Sequence, residues 1–302
     1  MRVNFGWLKN TKAYEASGIK IFAIDSYDEA IAEVDASSDQ DGRWLYPPIS
    51  YVSKVSGPRV PTSRFELPIT HTIEDKTKSK DTVFLEFMIM YYGWLNGQRL
   101  NPEGWGHLTK TAIKSGLLTD FIFHEKTIPS LLDKAEIFWQ NHQNDGLTNL
   151  MTNAIHWYLY AHSYNQYFER FMAQYMVLDT LYKITMQVNN KSSANHTERI
   201  KFVSNTLGMQ CPSWGVVNNR ETEIAKVRNN LIHESSFAGK PIGFGFPSAN
   251  SYILPNLEGF NCRVIAALFG LLVITAGQAV KLCKRLCLIL IEYTIQWKFS
   301  FD

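Results

Sequence analysis

Hydrophobic spacing along the chain changes character near residue 81. Before it, "GIKIFAID" alternates, with Ile19, Ile21 and Ala23 on one side and Phe22 and Ile24 on the other, which predicts a short strand. "SYDEAIAEV" follows, with Ser26 as N-cap and Glu29 at the capping-box position, hence a short helix. Between Gly42 and Pro68 stand Pro47, Pro48, Pro58 and Pro61, a density that excludes a long helix and predicts strands, turns or a wrapped connection. "HTIEDKTKSKD", residues 71–81, is polar and charged and reads as a linker.

Beyond it the spacing is helical. "DTVFLEFMIMYYGWLNG" has Asp81 to cap it and Gly97 to stop it. "TIPSLLDKAEIFWQNHQ" has Thr127 ahead of the helix and Pro129 in its first turn, where a missing N–H costs nothing. The longest pattern runs from about Leu147 to Gln187. In it Tyr160, Tyr164, Phe168, Phe171, Tyr175, Leu178 and Tyr182 recur at three- and four-residue steps, as a core stripe or a dimer seam does. Further helices are expected over His196–Leu207, Thr222–Glu234 and Leu257–Tyr293, with a Gly- and Pro-rich loop between the last two. The fold class expected is mainly α, a helical bundle behind a smaller mixed α/β N-terminal part. Residues 1–80 form an accessory or sensing domain, 81–145 a helical connecting region and 146–302 the main helical domain.

Composition narrows this. Of 302 residues 45% are hydrophobic, enough for a full core, and a net charge of +2 gives no strongly basic nucleic-acid-binding domain. Cys211, Cys262, Cys283 and Cys287 include no CxxC pair and read as free thiols, so neither a zinc site nor a disulfide framework is expected. His156 and His162, six residues apart, do not stack on one helix face and read as ordinary core or surface histidines. "MRVNFGWLKN" contains no apolar signal core, and a cytoplasmic location is expected. The uncharged run Val264–Gly277 is shorter than the ~20 residues of a bilayer span, and a central core helix is expected there. "KLCKR", residues 281–285, is a basic cluster able to touch an RNA backbone or to serve as a charged helix face.

The chemistry-bearing stretch is "ETEIAKVRNNLIHE", residues 221–234. On a helix, Ile224, Val227 and Leu231 form a core stripe. Asn229 and His233, four apart, share a face, so the amide can orient the imidazole; Asn230 and Glu234 form a second such pair. Arg228 and His233 lie about 140° apart around the axis, converging on one ligand across a groove or at a helix end. Arg supplies a planar charged fork for phosphate and His an acid or base near neutrality. The plain alternative is a solvated helix end whose final-turn His sits well on the dipole.

"RNNLIH" resembles the Arg-polar-x-x-x-His signature of the HEPN superfamily, small α-helical domains of prokaryotic toxins, antiviral effectors and CRISPR-associated ribonucleases. The wider "EIAKVRNNLIHESSFAGKPIGF" is more similar to the ApeA-like branch. The resemblance spans about Leu147–Tyr293 and implies a HEPN-like bundle with Arg228, Asn229 and His233 as catalytic residues. It makes Asp179, in the long aromatic helix, a supporting residue, and Asn230 within the motif and Glu234 just after it are candidates for the same role. It implies a metal-independent endoribonuclease of toxicity or phage defence, with no cofactor, RNA as substrate, a homodimer with a composite cleft, and an inhibitor or trigger partner at the N-terminal part. Glu-Ser follows His233, whereas the toxin branch paired with nucleotidyltransferases has x-Tyr there. Two other readings stand beside this one: a non-catalytic HEPN-like module that binds RNA or a partner, and a protein attached to a membrane through residues 264–277.

Overall fold

The computed structural model describes residues 1–37, 39–46, 51–52, 60–61, 67–77, 81–105, 110–119, 121–190, 195–218, 220–237, 239–242, 252–271 and 296–297. The fold is mostly helical, with several strands in the N-terminal region. It divides into two compact units, Met1–Asn141 with Ile295–Asp302, and His142–Thr294.

The first unit is built on an antiparallel sheet. Its strands are β1 (Arg2–Gly6), β2 (Tyr14–Glu15), β3 (Ile19–Ala23), β8 (His71–Asp75) and β9 (Asn101–Pro102), in the order β2-β3-β8-β1-β9. Shorter ribbons come from β4 (Asp39–Asp41), β5 (Trp44–Tyr46), β6 (Tyr51–Val52), β7 (Val60–Pro61), β10 (Thr111–Ala112), β11 (Phe121–Ile122) and β14 (Gln296–Trp297). The short helix read from "SYDEAIAEV" is α1 (Tyr27–Ser37).

The expected linker is a correction. Its first five residues are β8, central in the sheet and paired with β1 and β3. Polarity concealed the strand: His71, Ile73 and Asp75 are all buried, and His71 Nδ1 lies 2.9 Å from Thr70 Oγ1. The backbone N–H and hydroxyl of Thr77 both donate to Asp75 Oδ1, and Thr72 Oγ1 donates to Asn4 Oδ1 at 2.8 Å.

Helix α2 (Thr82–Asn96) packs on this sheet and is buried almost all round, from Phe84 to Leu95 with Glu86 as the exception. A helix apolar on every side belongs inside a core. Its ends are as expected: Asp81 Oδ1 accepts from Val83 N at 2.9 Å, and Gly97 takes the left-handed conformation at φ 57°. Helix α3 (Ile128–His142) sends Phe138 and Trp139 against Phe87.

The second unit is a helical bundle. The pattern expected to run unbroken from Leu147 to Gln187 is two helices, α4 (Leu147–Ala161) and α5 (Tyr167–Val188). The break is set by Gln166, extended at φ −90°, ψ 136°, which forms a capping box with Glu169. Tyr160 still meets Tyr164 edge-on at 5.4 Å, so the aromatic stripe crosses the turn and hides it. Helix α6 (Arg199–Thr206) follows a short 3-10 turn over His196–Glu198, and α7 spans Glu223–Glu234.

Helix α8 (Ile253–Leu268) packs against α4 and α5. It starts before the expected Leu257 and ends at Leu268, because Phe269 leaves helical geometry and Gly270 turns left-handed at φ 68°; residues 272–293 of the expected helix lie outside the described residues. Asn261 Nδ2 donates to the carbonyl and side-chain oxygens of Gln174, and Gln174 Nε2 donates to Tyr158 O, a buried amide chain tying α8, α5 and α4. Val264–Ala266 lie in this core; residues 272–277, the cluster at 281–285, Cys283 and Cys287 lie outside the described residues. Among the described residues no helix is long and apolar enough to cross a membrane.

Candidate active site

Helix α7 places the motif. Thr222 caps it, Oγ1 accepting from Ala225 N at 3.3 Å, and Ile224, Val227 and Leu231 form the buried stripe that the spacing predicts. With that stripe inward, Arg228, Asn229 and Asn230 are half-buried and His233 and Glu234 are exposed. The helix ends at Ser235, left-handed at φ 49°, whose N–H donates to Asn230 O. A two-strand ribbon, β12 (Ser236–Phe237) with β13 (Lys240–Pro241), occupies the start of the expected loop, and its Phe237 packs on Phe171.

The motif residues are only partly brought together. Arg228 Nη1 donates to Asn229 Oδ1 at 3.0 Å, and Asn229 Nδ2 donates to Glu221 Oε1 at 2.8 Å. Asn229 therefore aims the guanidinium, and the expectation that its amide orients His233 is corrected. Both ends of that amide are engaged, by Arg228 and Glu221. Glu221 is itself set by a tight turn in which its N–H and carbonyl pair with Asn218. Among the described residues His233 has no hydrogen-bond partner, and none joins Asn230 to Glu234.

Asp179 sits in a richer setting than sequence spacing suggests. On α5 it forms an ion pair with Arg199 Nη1, from the first turn of α6. Arg199 Nη2 lies 3.2 Å from His196 Nε2, and the guanidinium stacks over the Tyr182 ring at 4.9 Å. Arg228 reaches this cluster electrostatically. Partial desolvation and then the Arg199 charge hold the His196 imidazole below its ordinary value, with Asp179 opposing them and Arg228 adding a smaller push in the same direction as Arg199. Burial and then Asp179 push the Tyr175 hydroxyl up, with both arginines opposing.

The middle of α5, the start of α6 with the turn before it, and the middle of α7 thus contribute two guanidiniums, a carboxylate, an imidazole and a phenol that act on one another electrostatically. Such a set can bind an oxyanion between the arginines and move a proton beside it. Glu221, His196, Arg199 and Tyr175 were not anticipated. The His196-Arg199 spacing, three residues at a helix start, was the one available signal; their position opposite Asp179 was not legible. Searches against protein-family models, curated proteins and solved structures find no match for this chain.

Proposed function

We propose that this protein is a HEPN-type endoribonuclease that cleaves RNA without a metal ion. Arg228 carries the charge on the reacting phosphate, Asn229 positions Arg228, and His233 transfers the proton. The ribose 2′-hydroxyl attacks phosphorus, the bond to the 5′-oxygen breaks, and the leaving oxygen takes a proton. The products are a 2′,3′-cyclic phosphate and a 5′-hydroxyl. The observation that carries this reading is the chain Glu221–Asn229–Arg228, which fixes a guanidinium before any ligand arrives. Preorganised charge of that kind is what phosphoryl chemistry uses. The HEPN resemblance adds the setting: toxicity or antiviral defence in the cytoplasm, with a homodimer as active form and the N-terminal unit receiving the trigger.

The exposed His233, which no described residue orients, favours a second reading in which the motif binds RNA or a partner without cleaving it. One experiment separates the two. Total RNA and tRNA are incubated with wild type and His233→Ala, with EDTA throughout. Cyclic-phosphate ends from wild type alone support the nuclease. RNA retained by both proteins, cleaved by neither, and released by Arg228→Ala supports the binding module.

A further inference from the structure

The reaction needs one group to take a proton from the 2′-hydroxyl and another to give one to the 5′-oxygen, and each chain's motif contains a single histidine, so the second group is either the motif histidine of a second copy or another side chain of the same chain. The α5–α6 corner contains a second, His196, beside a second guanidinium. We propose that His196 is the general base of this site, that Arg199 and Arg228 clamp the scissile phosphate from two sides, and that His233 is left as the acid. This rests on the nuclease reading above.

The geometry favours one tautomer of the ring. A guanidinium only donates, so the contact between Arg199 Nη2 and His196 Nε2 places the lone pair on Nε2 and the hydrogen on Nδ1. A neutral ring with an accepting nitrogen is what a base requires. The groups facing it are Arg199 from α6, Asp179 from α5 and Arg228 from α7, and the two positive charges outweigh the one negative. His196 is also exposed, so a nucleotide can reach it. Arg199 is held over the Tyr182 ring and anchored through Nη1 to Asp179. A phosphate oxygen that draws Nη2 away from the imidazole frees Nε2 at the place where the adjoining 2′-hydroxyl arrives. His196 Nε2 then takes that proton as the 2′-oxygen bonds to phosphorus, and His233 protonates the departing 5′-oxygen. Water later restores both rings.

The test uses a defined oligoribonucleotide with one cleavable linkage, made in two forms: the natural 5′-oxygen and a 5′-sulfur bridge. A thiolate leaves without protonation, so the sulfur form needs a base and no acid. Full-length wild type, His196→Ala, His196→Gln and His233→Ala are compared, with RNA binding and circular dichroism measured alongside. On the natural linkage each histidine variant is expected to lose ~100-fold or more while still binding RNA, the range of general acid–base catalysis. On the sulfur linkage His233→Ala recovers to near wild type and the His196 variants do not. Cleavage of the natural linkage by either His196 variant at the wild-type rate, or recovery of both on sulfur, overturns the proposal and leaves the nuclease reading standing. Wild type that cleaves neither linkage overturns both. A proton NMR titration of His196 supplies a readout independent of turnover. Its midpoint is expected below 6.5 and rises in Arg228→Gln; a midpoint at or above 6.5 in wild type overturns the assignment.

Discussion

The helical unit contains two trios of the same side-chain types, an arginine, a carboxylate and a histidine, in opposite surroundings. In one, Arg170 Nη2 donates to Glu258 Oε1 at 2.7 Å and lies 3.4 Å from His162 Nδ1. Its members come from α5, α8 and the end of α4, and the Tyr158 ring closes over His162 at 5.6 Å. In the other, Arg199 links Asp179 to His196 at the edge of α6. The carboxylates decide the difference: Glu258 is 12% exposed and Asp179 39%. A carboxylate enclosed by three helices cannot be exchanged for a ligand, so the first trio is a strut that fixes how α4, α5 and α8 meet. A carboxylate facing water competes weakly for its guanidinium, so the second trio is free to trade it for a phosphate. On the proposed reading, exposure and not residue type separates the two trios.

The comparison breaks most visibly if the open corner does no chemistry. Arg199→Ala is expected to lower RNA cleavage by about 10²–10³-fold, the cost of removing one charge-stabilising donor. Single-turnover rates measure it. Unchanged rates would make the open trio another strut.

A third imidazole shows what burial does without a guanidinium. His71, fully enclosed in the sheet and stacked on Phe5 at 5.5 Å, is pulled by desolvation to about 4. The folded chain keeps this ring neutral while the unfolded chain protonates it near 6.5, so the unfolded state binds more protons in between. Stability is complete above pH 6.5 and falls as pH drops toward 4, by up to about 3 kcal/mol. Urea midpoints at pH 7 and pH 4.5 measure the fall, and His71→Gln is expected to flatten it.

The closed trio comes next in size. Glu258→Ala leaves the Arg170 guanidinium without its partner in a crowded site, where Arg170 Nε already has none among the described residues. Breaking such a pair costs about 2–3 kcal/mol here, less than in a fully buried case because Arg170 keeps some water. The melting temperature should fall by ~5–10 °C, with cleavage per folded molecule unchanged. A thermal scan and an activity assay on one sample check both.

How far all this was legible depended on the range of the interactions. The stripe Ile224, Val227, Leu231 and the caps Asp81 and Gly97 could be read because each acts within a turn or two of its own helix. Strand β8 was missed because His71 and Asp75 look like linker residues until the sheet that buries them is in place. The α4–α5 break was missed because the aromatic stripe continues through the turn. At the site, spacing singles out Arg228 and Asn229 but pairs Asn229 with His233, whereas the groups that engage it are Arg228 and Glu221, the latter outside the motif. Asp179 was named without its partner. Arg199 stands twenty residues away, across a turn whose path no local pattern specifies.

The smallest effect separates the two trios most finely. Asp179→Asn removes the charge of an exposed pair, and such pairs contribute roughly 0–1 kcal/mol, so thermal stability should barely move. Asp179 also occupies one edge of Arg199, and its negative charge offsets part of the field that would hold a phosphate. Neutralising it is therefore expected to tighten RNA binding by ~2–5-fold at low salt, from the same fraction of a kcal/mol. The gain should vanish as salt screens the site. Fluorescence anisotropy with a short single-stranded RNA at two ionic strengths measures this directly. Weaker binding in Asp179→Asn would mean that the carboxylate serves to hold Arg199 in place, and that the open trio is as much a strut as the closed one.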